Sequence, residues 1–446
     1  MKSKQAQYRR RTELGLIIFG TFVIALLYVL AGFGKSASVP ADLVPFFIAV
    51  LGLGVLAHLA VRKFAPYADP IILPLVIFLN GLGQVFITRL SHEKGIADEL
   101  PALQSTWTAI GVAAFILVLV FVRNSFVLKN YRYTFGFIGI FLLILPLLPI
   151  VGREINGSRI WASIGPINLQ PGEFARLALT IFLASYLAEK KELLQIGVRK
   201  VFMFEVPSWR HLSPVLLAWG IAMLVLAAEK DFGSSLLYFA LFTVMLWAAT
   251  QRFSYLLISF SLFFSGALIS WKVFDHIQAR VSVWHNPWEF RSGSGYQLVE
   301  AALAMASGGL TGTGLGNGEP DRIPEVETDF IFAAIGEEMG LLGTVLILSS
   351  FLFIIGSGLR IAIRSLDAFD KLLAVGLTTL IGLQGLVIMG GVVRLLPLTG
   401  VTLPFVSYGG SSLLANYMLV ALLLRLSDQA TTSTLEHKNT DEAGGL

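Results

Sequence analysis

The sequence predicts an all-α, polytopic integral membrane protein with about 12 transmembrane helices. Of its 446 residues, 55% are hydrophobic and only 14% are charged, and the mean hydropathy is +0.74. Soluble domains contain roughly 25% charged residues, so a soluble protein of this size could not bury so much apolar surface. These values exclude a pair of soluble domains, a disordered chain and a disulfide scaffold.

The remaining composition excludes several kinds of chemistry. The absence of cysteine rules out thiol nucleophiles, thiolate metal sites and disulfides. The net charge of +4 is small and gives no indication of nucleic-acid binding. The six histidines show no metal-ligand spacing such as HExxH, so no motif fixes a metal.

Twelve stretches are candidates for crossing the hydrocarbon core, which takes about 20 mostly apolar residues. Arg9, Arg10 and Arg11 precede the first stretch, but no small-residue cleavage site closes it, so we expect a retained helix rather than a signal peptide. The stretches cover residues 14–32, 43–61, 70–88, 106–122, 133–151, 172–188, 213–229, 232–250, 253–274, 329–358, 370–393 and 402–425.

The positive-inside rule gives the orientation. With a cytoplasmic N-terminus, most lysines and arginines fall in cytoplasmic segments, and an even number of helices returns the C-terminus to that side. We therefore expect a multi-pass protein of the cytoplasmic membrane with both termini inside. The expected parts are a cytoplasmic tail (1–13), two helices (14–65), a membrane core (66–428) and a disordered cytoplasmic tail (429–446).

The longest hydrophilic interruption, residues 275–328, follows the ninth helix and is expected to be a large outer loop. A long loop with little regular structure in a compact domain is usually functional. It is one of four polar segments that this topology places at or near the outer face.

The first polar segment holds Arg159, Trp161, Glu173 and Arg176. Pro171 can start a helix because its missing N–H would be unpaired there in any case. Glu173 then falls in the first turn, where it can pair with Arg176 three residues later. Charges in a membrane helix pair or line a cavity, so a structural ion pair and direct substrate contact both stay open.

The second polar segment is the short turn Glu229-Lys230-Asp231-Phe232-Gly233. Asp231 is suited to cap the next helix, because an aspartate accepts hydrogen bonds from N-terminal backbone N–H groups. A capping role and a role in the site are both compatible with this position.

The third polar segment is the long outer loop, which contains Arg280, Gln297 and a Gly-rich stretch over 308–318. The Gly-rich stretch lacks the GxxxxGK[ST] pattern and follows no predicted strand, so we interpret it as tight backbone turns rather than a nucleotide site. The loop ends in an acidic cluster that includes Glu325 and Asp329.

Asp329 is the candidate catalytic residue, because it lies where a helix re-enters the bilayer. A partly desolvated carboxylate has a raised pKa, which suits a general base. The alternative is that Thr328 or Asp329 caps this helix.

The fourth polar segment combines Pro397 and Pro404 with Ser407-Tyr408-Gly409-Gly410-Ser411-Ser412. These residues interrupt a membrane helix, and non-helical backbone at membrane depth is tolerated only where protein or a water-lined cavity satisfies it. The segment therefore indicates a cavity wall.

Two classes of protein fit an outward-facing site of acids, arginines and broken helices. A transporter or flippase places its site between broken helices near the middle of the bilayer. An enzyme acting on an anionic, lipid-linked substrate would use arginine to bind phosphate. The polar residues crowd one face, which favours the enzyme.

Together these segments resemble the SEDS family of shape, elongation, division and sporulation proteins, which includes RodA and FtsW. The resemblance runs in order over about 70–425 and is specific as a combination. Its motifs are Ser158-Arg159-Ile160-Trp161, Gln170-Pro171 with Glu173 and Arg176, Asp231-Phe232-Gly233, Arg280-Val281, Gly295-Tyr296-Gln297, the Gly-rich stretch, Pro324-Glu325, Thr328-Asp329-Phe330-Ile331-Phe332, Glu337-Glu338, and Thr402-Leu403-Pro404 through Ser407–Ser412.

The resemblance implies a peptidoglycan glycosyltransferase that polymerises lipid II into glycan strands at the outer face of the membrane. It implies a class B penicillin-binding protein as partner, which cross-links the strands, and other elongation or division machinery. It matches Asp329 to the family's essential loop aspartate, and Glu173 and Arg176 to its acid–base pair. The alternatives are a lipid II flippase and a non-catalytic scaffold for a penicillin-binding protein.

The departures from the family pattern are informative. Family members commonly have ten helices, whereas two more precede the core here. The pair is usually Glu–Lys rather than Glu–Arg, Lys230 replaces a proline, and Ile388 replaces a common asparagine. These features resemble a RodA-type member from an actinobacterial lineage.

The expected site has Asp329 as general base on the acceptor sugar hydroxyl, with arginines neutralising the leaving pyrophosphate. No cofactor is fixed by a motif, and a divalent cation, Mg²⁺ or Mn²⁺, could assist. The expected substrate-binding residues are Arg159, Trp161, Glu173, Arg176, Asp231, Arg280, Gln297, Glu325, Thr328, Ser407 and Ser411.

Overall fold

The fold is that of a computed structural model, which describes residues 2–93, 99–155, 158–165, 167–196, 198–201, 204–207 and 209–444. Its helices are α1 (Lys2–Ser36), α2 (Leu43–Phe64), α3 (Ile72–Glu93), α4 (Glu99–Phe121), α5 (Phe126–Asn130), α6 (Arg132–Ile144), α7 (Pro171–Ile196), α8 (Trp209–Glu229), α9 (Phe232–Thr250), α10 (Phe253–Val273), α11 (Asp275–His285), α12 (Tyr296–Gly308), α13 (Ile331–Arg364), α14 (Ala368–Val392) and α15 (Gly410–Gly444). Its strands are β1 (Gly152–Ile155), β2 (Ser158–Ile164), β3 (Ile167–Leu169), β4 (Val198–Val201) and β5 (Phe204–Pro207).

The helices confirm the prediction of a polytopic, helical membrane protein. Within the described ranges, nine helices are long and apolar enough to cross a membrane, and two shorter apolar helices cover Arg132–Leu147 and Leu216–Glu229. Each of the twelve predicted stretches overlaps a helix. The number of helices that cross the membrane stays a prediction.

Two connections contain strands that an all-α prediction does not include. β1, β2 and β3 form an antiparallel sheet in that order, with Arg153 opposite Trp161 and Ala162 opposite Leu169. β4 and β5 form an antiparallel hairpin. The sequence indicated part of the first sheet only as a polar segment. It did not predict the strands, because their pairing depends on where the chain turns.

The loop over residues 275–328, which is predicted to lie outside, is more ordered than expected. It contains α11, α12 and two 3₁₀ helices, Pro287–Phe290 and Pro320–Arg322. The hydrophilic composition that suggested irregular structure reflects the exposed faces of these short helices. The last predicted span is also shorter at its start, since α15 begins at Gly410 rather than near residue 402.

Both terminal tails are helical where they are described, so the expectation of a disordered C-terminal tail is wrong up to Gly444. Four successive hydroxyls in α15, Thr431, Thr432, Ser433 and Thr434, donate to the carbonyl four residues before, which occupies their polar groups within the helix. At the other end, α1 begins at Lys2, so most of residues 1–13 belongs to a helix. Met1 and residues 445–446 lie outside the described part.

The chain divides into two compact units. The first unit comprises residues 1–121, 274–357 and 384–424, and the second comprises 122–273, 358–383 and 425–446. In the second unit, α6, α7, α8 and α9 share a core of six buried residues: Leu143, Ala175, Leu179, Ala222, Leu226 and Tyr238.

In the first unit, the two additional N-terminal helices pack on α3. Ile24, Tyr28 and Ala31 of α1 form a core with Val85 of α3. A buried polar cluster fixes the other end of α1, because the Arg10 guanidinium donates to Glu13 at 2.5 Å and to the Ala68 carbonyl at 2.6 Å. The second carboxylate oxygen of Glu13 lies 2.7 Å from Nδ1 of His58 on α2, so one acid joins both helices.

The Gly-rich stretch 308–318 packs against a break in α13. Gly340 has a φ of +65°, and the helix resumes on either side of it. The amides of Thr313 and Gly314 donate to the carbonyls of Glu337 and Glu338 at 2.9 and 3.1 Å, so the stretch satisfies backbone groups that the break leaves unpaired. Gly312, Gly314 and Gly316 also have positive φ values, which confirms the interpretation of this stretch as tight turns.

Replacing Gly340 with alanine should destabilise the protein by about 2 kcal/mol or more, because a left-handed φ is costly for a residue with a Cβ. The added Cβ would stand 2.7 Å from the Leu310 carbonyl carbon, which requires a backbone shift. Gly356→Ala in the same helix is the matched control, since a Cβ there meets nothing within 4 Å and alanine favours a helix by up to about 1 kcal/mol. Thermal unfolding of the two purified variants should show a loss only for Gly340→Ala; equal melting temperatures would contradict the strained-turn assignment.

Candidate active site

Asp329 lies at the end of a tight turn that directly precedes α13. Glu325 begins the turn with a φ of +54°. Its carbonyl accepts the amides of Thr328 and Asp329 at 3.2 and 3.1 Å and the Thr328 hydroxyl at 3.1 Å. These bonds within the turn fix the position of the Asp329 backbone.

The carbonyl of Phe330 accepts the amides of Ala333 and Ala334, and these are the first hydrogen bonds of α13. Phe330 thus occupies the position before the helix, and the capping role considered for Thr328 or Asp329 is not the one that the structure shows. The Asp329 carboxylate is left for other contacts.

The broken-helix segment 393–409 is hydrogen-bonded to the Asp329 turn. The Ser407 hydroxyl donates to the Thr328 carbonyl at 2.5 Å and accepts the Leu403 amide at 3.0 Å. The Tyr408 amide donates to the Glu327 carbonyl at 2.8 Å. These bonds confirm that the segment is non-helical, and they place Ser407 beside the Asp329 turn through backbone contacts. That this segment is the wall of a cavity stays a prediction.

Gly400 brings this wall against the carboxylate itself. Its φ is +71°, and a Cβ added there would stand 3.8 Å from Oδ2 of Asp329. A glycine suits this position because it permits the left-handed backbone and leaves room in front of the acid.

Three amide side chains satisfy other backbone groups of the wall or its neighbours. Asn80 of α3 donates to the Phe405 carbonyl at 3.3 Å, and Gln384 of α14 donates to the Thr402 carbonyl at 2.9 Å. Gln297 of α12 donates to the Pro324 carbonyl at 3.4 Å, so it braces the start of the turn. Ser411, also a predicted site residue, is buried in the first turn of α15.

The electrostatics of Asp329 fit a base that works near neutral pH. Burial raises the pKa of its carboxyl from 3.8 to about 6, with the neighbouring Glu325 acting in the same direction. The Thr328 hydroxyl and the Arg280 guanidinium pull the pKa down again, and Thr328 has the larger effect of the two. Burial and Glu327 likewise raise the pKa of the Tyr408 phenol.

Arg394 links two elements of the candidate site, and the sequence did not indicate this link. It adopts a φ of +62°, and its Nη2 donates to the carbonyls of Trp284 and His285 at 3.4 and 3.3 Å. The Trp284 indole in turn donates to the Arg394 carbonyl at 3.0 Å. This contact ties α11, which carries Arg280, to the broken-helix segment, and only the position of Arg394 just before Pro397 hinted at it.

Two acids of α13 are engaged in structural bonds. Glu338 pairs with the buried Arg89 and accepts the Gly316 amide at 3.1 Å. Glu337 accepts the Glu319 amide at 3.0 Å. Both therefore hold the region of the Gly-rich stretch.

In the second unit, the predicted pair of Glu173 and Arg176 is formed and buried. Nη2 of Arg176 donates to Glu173 at 2.8 Å and to the Ser234 hydroxyl at 3.3 Å. Asp231 caps α9 by accepting the Ser234 amide at 2.9 Å. The capping prediction is confirmed, and the pair has the geometry of the structural ion pair.

Arg159 and Trp161 lie on β2, also in the second unit. Arg159 donates to Glu154 at 3.0 Å, and both of these charged side chains are at least half exposed. The structure thus brings together Asp329, Thr328, Glu325, Arg280, Gln297 and Ser407 in the first unit. It brings together Glu173, Arg176 and Asp231 in the second.

Among the residues that the structure describes, no group of three or more His, Asp and Glu side chains could hold a metal ion. Assistance by Mg²⁺ or Mn²⁺ stays a prediction.

Comparison with known proteins shows the family. A model of the FtsW, RodA and SpoVE family of cell cycle proteins matches residues 70–432, and the chain belongs to this family. The peptidoglycan glycosyltransferase RodA of Mycobacterium tuberculosis is 43% identical over 431 residues, which cover 95% of this chain and 91% of the relative. The RodA of Mycobacterium leprae is 41% identical with the same coverage.

Two solved structures are similar to this chain in fold. A chain from a peptidoglycan synthase complex, studied for its coordination of polymerization and crosslinking, has a TM-score of 0.68 and 25% identity over 81% of this chain and 98% of its own length. A variant of the rod shape determining protein RodA of Thermus thermophilus shares the fold, with a TM-score of 0.58 over 81% and 97% of the two chains. This chain is thus a multi-pass bacterial membrane protein.

Removing Glu173 should cost about 3–5 kcal/mol, because it leaves the buried Arg176 charge without its partner. Replacing both Glu173 and Arg176 with alanine should lower the free energy of unfolding by less than the sum of the two single replacements. The Glu154–Arg159 pair is the matched control: its N–O distance of 3.0 Å is similar but both side chains are exposed, so Glu154→Ala should change stability by no more than about 1 kcal/mol. Thermal unfolding of Glu173→Ala, Arg176→Ala, the double variant and Glu154→Ala measures these changes in stability. Additive losses at Glu173 and Arg176 would argue against a coupled pair.

Proposed function

We propose that this protein is a peptidoglycan glycosyltransferase that polymerises lipid II into glycan strands at the outer face of the cytoplasmic membrane, for cell elongation and shape. The observation that carries the proposal is Asp329, a half-buried carboxylate with its pKa raised to about 6, held in a hydrogen-bonded turn at the start of a membrane helix. The high identity to RodA glycosyltransferases over nearly the whole chain supports the same reaction.

In this reaction Asp329 acts as general base on the 4-hydroxyl of the acceptor sugar. The hydroxyl proton moves to the carboxylate as the oxygen attacks C1 of the donor sugar. The bond from C1 to the pyrophosphate oxygen breaks, and undecaprenyl pyrophosphate leaves with the bonding electron pair.

Arg280 is the arginine best suited to oppose the charge of the leaving pyrophosphate. It is exposed on α11 and acts electrostatically on Asp329. Arg176 is already paired with Glu173, and Arg159 with Glu154, so each would have to give up a partner. Preorganised charge of this kind often contributes more to catalysis than any other single effect.

A class B penicillin-binding protein is the proposed partner, and other elongation or division proteins would join the assembly. The structural likeness to a chain of a peptidoglycan synthase complex supports this choice. The excess of lysine and arginine on one side of the predicted topology supports cytoplasmic termini.

Asp329→Asn should reduce strand synthesis from labelled lipid II by roughly 10²–10⁴-fold, because the amide keeps the size of the side chain but cannot accept the proton. The assay uses the purified protein with its penicillin-binding partner. Asp321→Asn is the matched control, since it makes the same change on an exposed acid of the same loop, and it should retain activity.

Full activity of Asp329→Asn would sink the general-base assignment. Wild-type protein that forms a folded complex but makes no strands would instead favour lipid II flipping or a scaffold. Complex formation, measured by size-exclusion chromatography, separates these results from misfolding.

The rate should also rise with pH through the pKa of Asp329. With a pKa of about 6, roughly one tenth of the carboxyl groups are ionised at pH 5, and the rate should reach a plateau above pH 7. Arg280→Gln should move the midpoint to higher pH, because Arg280 lowers the pKa of Asp329. A rate that is flat from pH 5 to 7 would contradict the assignment.

A change in folding stability caused by the titration of Asp329 would not produce this pH profile. Because the pKa of Asp329 is raised in the folded protein, its ionised form costs stability above pH 6, and acidification removes that cost. Thermal unfolding measured over the same pH range provides the control.

A further inference from the structure

The C-terminal end of α1 lies directly against the Gly-rich stretch 308–318. A Cβ added at Gly34 would overlap the Leu315 carbonyl oxygen and stand 3.2 Å from the Gly316 Cα. From the other side, a Cβ added at Gly316 would stand 2.5 Å from the Ala31 carbonyl oxygen and 3.2 Å from the Gly34 Cα. The two backbones therefore touch at a pair of facing glycines, and no larger residue fits there unless one of them moves.

The side chain of Leu315 adds an apolar contact to this junction. It packs against the core that includes Tyr28 of α1 and Val85 of α3. Tyr28 is itself fixed by the second additional helix, because its hydroxyl donates to Asp42 at 2.7 Å and its ring stacks on Phe46 with centroids 4.3 Å apart. Both N-terminal helices thus support the surface on which the Gly-rich stretch lies.

α1 is also anchored near its other end, so it cannot slide to follow the stretch. The Arg10 guanidinium donates to the Ala68 carbonyl just before α3 and to the Glu13 carboxylate. Since Arg10 and Gly34 lie on the same continuous helix, the rise of 1.5 Å per residue separates these two anchors by about 36 Å. α1 is therefore a strut between the start of the family core and the Gly-rich stretch.

The Gly-rich stretch is held on its opposite side by the family core. The Gly316 amide donates to the Glu338 carboxylate of α13 at 3.1 Å, and Arg89 of α3 donates to the Gly318 carbonyl at 2.6 Å. The same residue, Gly316, thus contacts both α1 and α13. A change at the α1 contact must be transmitted to the bonds on the α13 side.

The chain between this stretch and Asp329 has little freedom to absorb such a change. The Glu319 amide donates to the Glu337 carboxylate at 3.0 Å, and the 3₁₀ helix Pro320–Arg322 follows directly. The carbonyl of Glu325 then accepts the Asp329 amide at 3.1 Å. A continuous series of bonded segments therefore joins the end of α1 to the turn that carries Asp329.

We propose that the N-terminal helix pair positions the Asp329 turn: α1 fixes the Gly-rich stretch through Gly34 and Leu315, and the stretch fixes the turn. Gly34 and Leu315 are then positioning residues, and their role rests on the proposed function of Asp329. The family model matches from residue 70 onward, so both helices lie outside the matched region. Such a strut matters because misplacing a catalytic group by about 1 Å can cost roughly 10²-fold in rate.

The first test compares Gly34→Ala with Gly15→Ala in the full-length protein and its penicillin-binding partner. A methyl group at Gly34 should push the two backbones apart by about 1 Å, and strand synthesis from labelled lipid II should fall by about tenfold or more. Gly15→Ala is the matched control on the same helix, since a Cβ there meets nothing within 4 Å, and it should keep the wild-type rate.

The pH profile separates displacement of the turn from simple loss of folded protein. Fewer folded molecules would lower the rate equally at every pH. A displaced turn admits water to the Asp329 carboxyl, and because burial is the largest cause of its raised pKa, the midpoint of the profile should move to lower pH in Gly34→Ala. A reduced rate with an unchanged midpoint would overturn the proposal, as would a wild-type rate.

The second test compares Leu315→Ala with Leu310→Ala by hydrogen–deuterium exchange, and it also serves if Gly34→Ala does not fold. Leu315 packs on the α1 core, whereas Leu310 of the same stretch is 71% exposed. In Leu315→Ala the amides of Thr328 and Asp329 should exchange roughly tenfold faster, with exchange in α6 and α7 of the second unit unchanged. Leu310→Ala should match wild type throughout.

Equal exchange of the Asp329 turn in the two leucine variants would overturn the proposal. Faster exchange in α6 and α7 as well would also overturn it, because this would show a general loss of stability. The exchange measurement does not need catalysis. A wild type that makes no strands would therefore count against the proposed function alone, and exchange would still decide whether α1 holds the turn.

Discussion

The structure depends on one constraint, which is that backbone polar groups at membrane depth must find partners within the protein. The segment 393–409 leaves the helical form between α14 and α15, so its carbonyls and amides need other bonds. Asn80 of α3 and Gln384 of α14 supply bonds from outside the segment, and Ser407 supplies one from within it. Ser407 also bonds to Thr328, so the bonds that make the broken helix tolerable also place this segment next to Asp329.

The same constraint explains why two acids of α13, Glu337 and Glu338, are engaged in structural bonds. The break at Gly340 is matched by the Gly-rich stretch, and the carboxylates of Glu337 and Glu338 bond to amides of that region. Buried Arg89 compensates the charge of Glu338. Asp329 differs from these acids, because its turn satisfies the backbone and leaves the carboxylate beside Gly400 with its pKa raised.

Much of this arrangement follows from local sequence, and the rest does not. Prolines and serines indicated the broken helix, the i, i+3 spacing indicated the Glu173–Arg176 pair, and Asp231 was recognisable as a cap. The sequence could not show that Arg394 adopts a positive φ, since that conformation is held by carbonyls more than a hundred residues away. Nor could it show the first sheet or the helices of the outer loop, because tertiary pairing overrides their hydrophilic composition.

The balance of charge around Asp329 connects these distant residues to the proposed chemistry. Burial alone would make the acid a stronger base but would leave less of it ionised at neutral pH, and the opposing pull of Thr328 and Arg280 limits that effect. Arg280 acts from α11, and Arg394 fastens α11 to the broken-helix segment. A residue in a strained backbone conformation costs of order 1–3 kcal/mol. The bonds of Arg394 fix α11, and with it Arg280, relative to the segment beside Asp329. In the proposed reaction these two residues oppose the leaving charge and receive the proton.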